Sequence, residues 1–180
     1  MSSSRTFLLA VAGIAVAASS LAAQLLSLEE ALALAFPRAQ VQRRPLFLTD
    51  EQRHQVRRLA GTPPASGMVM RYEAVREGQL VGVAYTDTHR VRTLGATLLV
   101  ALTPEGAVTR VELLSFAEPK EYVPRPEWYG QLHGRRLDGE LALKRGVRPV
   151  AGATLTATAT VEAVRRVLAI HTVVGPPRHE

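Results

Sequence analysis

The chain reads as an α+β protein: an antiparallel sheet meander with helices packed on one face, preceded by an N-terminal signal or anchor segment. Three observations lead to this reading. Between Met68 and Phe116, four short runs rich in Val, Leu, Thr and Tyr follow one another with only turn residues between them. On both sides of that region, apolar residues recur at helical spacing. At the start, residues 7–26 carry no charge at all.

The charge-free run FLLAVAGIAVAASSLAAQLL follows a short start whose only charged side chain is Arg5. Its length is near the minimum for crossing a bilayer as a helix, and its Ala and Ser content makes it only modestly hydrophobic. Small residues at Ser20-Leu21-Ala22 also suit cleavage of a secretory signal near Ala22. Both alternatives export the remainder, which divides the chain into residues 1–27, signal peptide or membrane anchor, and a single domain at residues 28–180. The domain is thus expected at the outer face of the cell membrane, or secreted.

Leu28 to Phe36 is helix-prone and stops before Pro37, whose ring disfavours helix in the preceding residue. After a mixed stretch, Thr49 and Gln52 form a capping box that opens a second helix, with Val56 and Leu59 on its apolar side and Gly61 at its end. The strand runs are Met68–Arg76, Leu80–Thr86, Thr97–Thr103 and Val108–Phe116. Glu77-Gly78 and Pro104-Glu105-Gly106 separate them as hairpin turns, and short connections imply antiparallel neighbours. Prolines make 117–126 a loop, and Glu127 to His133 reads as a short helix closed by Gly134. Pro149 and Gly152 then punctuate the chain before a last helix marked by Val161, Val164, Val167 and Leu168.

Composition narrows the function. The absence of cysteine excludes disulfides, Cys-ligated zinc and iron–sulfur clusters. The five histidines never fall at the short spacings of paired metal ligands. Neither a Gly-x-Ser-x-Gly elbow nor a Gly-rich phosphate loop is present. The net charge of +6 rests on arginines scattered along the chain, with only Lys120 and Lys144 beside them, and no nucleic-acid motif accompanies them. No nucleic-acid partner is expected. An acidic protein or anionic lipid partner fits that charge.

The stretch with chemistry in it is Val150-Ala151-Gly152-Ala153-Thr154-Leu155-Thr156. Small residues let a ligand approach the backbone, and a helix start offers unpaired N–H groups and partial positive charge, which suits a phosphate. Lys144, Arg145 and Arg148 lead into it. Gly152-Ala153-Thr154-Leu155-Thr156 resembles the flavin-attachment motif of the FMN-binding domain family, found in the flavin-carrying subunits of the sodium-translocating NADH:quinone reductase and the Rnf complex. The resemblance implies FMN held through a phosphoester on Thr154, with Gly152 and Ala153 permitting close approach and Thr156 and the helix start binding the phosphate. The pattern Glu118-Pro-x-x-Tyr122 followed by Trp128 is similar to the family's loop near the flavin. Members modified covalently have Ser or Thr before the Gly and an Asp a few residues earlier; here those places hold Ala151 and Val147. Gly95-Ala96-Thr97 repeats the tripeptide but leads into a strand, so Thr97 is read as structural.

The resemblance thus implies an extracytoplasmic FMN-binding electron carrier in a membrane-associated redox chain. Its partners would be redox proteins at the membrane, a flavin transferase for attachment, and the bilayer itself through residues 7–26. The alternatives are a non-covalent FMN reductase and a flavin-free anchored adaptor.

Overall fold

The structure is a computed structural model that describes residues 25–177. The signal or anchor reading of the N-terminal run, and the cleavage position near Ala22, lie outside the described residues. Among the described residues, no helix is long and apolar enough to cross a membrane.

The elements are α1 (Leu28–Ala35), β1 (Gln40–Phe47), α2 (Asp50–Ala60), β2 (Met68–Arg76), β3 (Gln79–Arg90), β4 (Gly95–Leu102), β5 (Val108–Phe116), α3 (Pro126–Tyr129) and α4 (Thr154–Val174). The architecture is α+β, with a five-stranded sheet in the order β1-β2-β3-β4-β5 and every neighbouring pair antiparallel. The four strands read from the sequence are all present. A fifth, β1, was missed within the mixed stretch before Thr49; it pairs with β2 from Gln40↔Val75 to Phe47↔Met68.

Helices cover both faces of the sheet, which corrects the expectation that they share one. Side chains alternate along a strand, and β4 shows the consequence: Leu98, Val100 and Leu102 enter the main core with α2 and α4, while Leu99 and Ala101 turn the other way. There they meet Ala31 and Phe36 from the α1 region, together with Tyr72, Ala74 and Ala84. Gly82 permits this second layer, because a Cβ at that position would lie 2.5 Å from the Phe36 ring and 2.8 Å from the Leu102 carbonyl oxygen.

The capping box of α2 forms as read: the Thr49 side chain accepts from the Gln52 N–H and the Gln52 side chain from the Thr49 N–H. Gly61 closes that helix with φ +84°, a backbone conformation natural to glycine. Ser27 and Glu30 build a second capping box on α1. The α2 end is tied to α4 by Arg165, whose guanidinium donates to the carbonyls of Leu59 and Ala60 and, across a loop, to those of Asp138 and Leu141. The Leu59 and Ala60 carbonyls are ones that the last helical turn leaves without an intrahelical partner, and a cation suits that end of the dipole.

Two polar groups sit between α4 and the sheet. Arg166 donates to Asp87 of β3 through Nε at 3.0 Å and a terminal nitrogen at 2.7 Å, and His89 adds a contact of 2.9 Å to the same carboxylate. Farther along, the His171 Nε2–H donates to the Pro104 carbonyl at 3.0 Å, which leaves Nδ1 to accept from the Tyr85 hydroxyl at 3.0 Å. Burial holds the His171 imidazole below its ordinary value of 6.5, outweighing the Pro104 carbonyl that favours the protonated ring. The unfolded chain therefore takes up this proton first as pH falls. The stabilisation is complete above about pH 6.5 and is lost as pH falls toward the folded value. Urea midpoints measured between about pH 8 and pH 5 should decline on the acid side, and less steeply in a Tyr85→Phe/His171→Leu variant. Equal acid slopes would disprove the assignment.

Candidate functional site

The helix carrying the Gly-Ala-Thr motif starts earlier than its apolar spacing indicates: α4 is helical from Thr154 onward. Val150 to Gly152 form the turn before it, and Gly152 takes φ +78°. A side chain there would meet nothing within 4 Å, so the glycine answers to backbone conformation and not to crowding. Ala153 occupies the N-cap position, and its methyl group cannot accept from the first-turn N–H groups. The first intrahelical bond runs from the Ala157 N–H to the Ala153 carbonyl. A 21-residue helix thus presents its positive end with no side chain capping it.

The motif residues divide by burial. Gly152, Thr154 and Leu155 are exposed, Leu155 by 54%, an unusual position for a large apolar side chain beside an open helix end. The Thr154 hydroxyl donates to the Val150 carbonyl at 3.1 Å and makes no other hydrogen bond among the described residues. Ala153 and Thr156 turn inward, and Thr156 is 2% exposed. Thr156 was expected, with the helix start, to hold a phosphate. Its Oγ1 is buried without a hydrogen-bond partner, and only its backbone N–H lies at the helix start.

Trp128 belongs to the approach to this turn. Its indole Nε1–H donates to the Arg148 carbonyl at 2.7 Å, and the Gln131 side chain accepts from the Arg148 N–H at 2.8 Å. Together they fix the peptide through which the basic segment reaches Val150. The ring stands edge-on to Tyr129 at 5.3 Å between centroids.

Glu118 and Tyr122 form a separate group. The Glu118 Oε1 accepts from the backbone N–H groups of Arg92, Thr93 and Leu94 at 3.2, 2.8 and 2.9 Å, clasping the β3–β4 turn to the end of β5. The bonds from Leu94 and Thr93, in that order, hold its carboxyl below the usual value. Arg92 lies over the Tyr122 ring at 5.1 Å. Glu118 therefore acts as a loop clasp, and no hydrogen bond or ring contact joins this group to the Gly152–Thr156 turn.

The two places where covalently modified members differ are now explicit. Ala151 is exposed, whereas Val147 is fully buried in the main core and bridges Leu143. Thr97 is structural as read: it lies in β4, and its hydroxyl pairs with Thr88 at 3.0 Å.

Chemically, Thr154 offers an accessible hydroxyl with no base hydrogen-bonded to it among the described residues, so none of these takes its proton. Attack on a phosphate by this oxygen needs a second catalyst. Sequence reasoning missed the ion group beneath α4, Asp87 with Arg166 and His89, because its members lie far apart in the chain. No protein-family model matches the chain, and no curated protein does.

Proposed function

We propose that this protein is an extracytoplasmic FMN-carrying electron-transfer protein, with the flavin joined through its phosphate to Thr154. The observation that carries the proposal is the exposed Thr154 hydroxyl at the uncapped positive end of α4, behind a Gly152 turn with open space around it. These residues fit the phosphate of FMN, a diester once joined to Thr154. The N–H groups of the first turn supply donors, the helix dipole supplies charge, and the approach segment supplies Lys144, Arg145 and Arg148. Leu155, exposed alongside, offers apolar surface to a flat ring. Trp128, tied to the Arg148 peptide, keeps that approach in one conformation. Bound FMN would supply a ring that accepts and releases electrons; the protein's own part is placement and electrostatic tuning. Because no base adjoins Thr154 among the described residues, attachment requires a flavin transferase at the outer face of the membrane, which takes the hydroxyl proton while the Thr154 oxygen attacks an activated FMN phosphate and displaces its leaving group. The partners are redox proteins there, met transiently.

Expression with a flavin transferase in an exporting host should add the mass of one FMN less water to the peptide containing Thr154. Thr154→Ala should abolish the addition while leaving the thermal midpoint within about 2 °C, since the hydroxyl makes one exposed bond. Modification at Thr97, or an unmodified native chain, would refute the proposal. Robust NADH oxidation by the flavinylated protein alone would replace the carrier with a reductase.

A further inference from the structure

The sheet has two unlike edges. β1 carries Arg43, Arg44 and Pro45 in its middle, and charge and proline blunt an edge against further pairing. β5, hydrogen-bonded as a strand only to β4, has no proline and borders a groove of about 900 Å³. Apolar side chains dominate this groove, among them Val111, Leu113, Phe116 and Val123, with Leu25 and Leu26 also lining it. Leu25 and Leu26 are the last residues of the charge-free run at 7–26.

Polar groups in the lining follow a gradient. Thr109 and Tyr129 both line the groove, and each has a buried hydroxyl oxygen with no hydrogen-bond partner among the described residues. Leaving such a group unpaired is unfavourable, so acceptor atoms from outside are the natural complement. Tyr129 stays a donor, because burial first, and the Glu112 charge second, push its hydroxyl well above the usual value. Arg110 and Glu112, 2.9 Å apart, offset one another's charge. The remaining ionisable groups, Lys120 and His133, are exposed at the rim.

We propose that the groove binds one anionic membrane phospholipid, with an acyl chain along the apolar lining, ester carbonyls accepting from Thr109 and Tyr129, and the phosphate beside Lys120 and His133. Neutral donors in a buried position with the Lys120 cation and the His133 ring at the rim match a molecule whose neutral acceptors and negative charge are separated. A peptide strand laid on β5 would satisfy backbone groups and leave both hydroxyls unpaired. The groove shares no residue with the Gly152–Thr156 turn, so the proposal stands independently of the flavin.

Trp128 is the only tryptophan and stands against Tyr129, so its fluorescence reports on the groove. Full-length protein in phosphatidylcholine vesicles is titrated with phosphatidylglycerol brominated on its acyl chains. Saturating quenching is expected, at least threefold stronger than with brominated phosphatidylcholine at the same fraction. Gly130→Leu should remove that difference, because Gly130 lines the groove and a side chain there meets nothing within 4 Å. Tyr129→Phe should weaken quenching severalfold with urea stability unchanged or raised, as expected for a hydroxyl without a partner. Equal quenching by both lipids, quenching unaffected by Gly130→Leu, or a destabilised Tyr129→Phe would each overturn the proposal. So would brominated palmitate matching phosphatidylglycerol, which would make the ligand a free fatty acid.

Discussion

Arg166→Met is expected to destabilise the protein by about 3–5 kcal/mol at neutral pH, a drop in Tm on the order of 10 °C. The side chains of Arg166 and Asp87 are 7% and 5% exposed, so the substitution strands a carboxylate between α4 and β3. Desolvation raises the Asp87 carboxyl, yet hydrogen bonds from His89 and Arg166 overcome it, and the net shift is downward. A depressed carboxyl contributes stability that is present above the unfolded value, 3.8, and lost as pH falls through the folded value. The deficit of Arg166→Met should therefore shrink in acid. An Asp87→Leu/Arg166→Met double variant should regain most of the loss, because replacing both members of a buried pair leaves no charge to solvate. Denaturation of the native, single and double forms at neutral and acid pH tests this. A single variant within about 1 kcal/mol of native at neutral pH would show that the pair contributes nothing.

That pair illustrates what a sequence conceals. Asp87 and Arg166 are 79 positions apart, and neither sits in a local pattern that identifies its partner. The strands were legible because hairpin turns and β-branched runs are local signals; Met68–Arg76 and Val108–Phe116 appear with the boundaries read. β1 was not, because its side chains are mostly exposed, its middle is Arg-Arg-Pro, and an edge strand needs no alternation when its outer surface faces water. The start of α4 was obscured by Thr154, Thr156, Thr158 and Thr160, which suggest a loop by composition. In the helix, the Thr158 hydroxyl bonds back to the Thr154 carbonyl at 2.9 Å, and Thr160 packs inward at 1% exposure. The second layer around Phe36 was hidden for a different reason: the strands are apolar on both faces, and periodicity alone does not say which helix covers which.

The same burial decides what happens at the position where covalently flavinylated members carry an acid. Val147→Asp is expected to destabilise this chain by about 3–5 kcal/mol and, if the proposed flavin site at Thr154 exists, to lower attachment there. Val147 is fully buried, its N–H donates to the Ala142 carbonyl at 3.2 Å, and its carbonyl accepts from Lys144 at 2.9 Å. An aspartate side chain there enters the main core, among apolar side chains. Ala151→Thr is the contrasting case, because Ala151 is exposed and a hydroxyl there costs no desolvation. It should raise the flavinylated fraction with the fold unchanged, as read by intact mass after expression with the transferase. Acid relieves both Val147→Asp and Arg166→Met. A carboxyl forced into the core has its folded value raised, so the folded state binds the proton first, and the charge term of the deficit diminishes as pH falls through that raised value, well before the ordinary carboxylate range. For Arg166→Met the relief begins in the same way, as the stranded Asp87, its desolvation no longer offset by Arg166, takes up a proton, and it continues as pH falls through the native folded value of Asp87, where the pair is lost from the native protein too. A Val147→Asp protein with native stability would mean that the Leu143–Val147 segment opens to water, and the attachment site would then be a mobile loop and not a fixed turn.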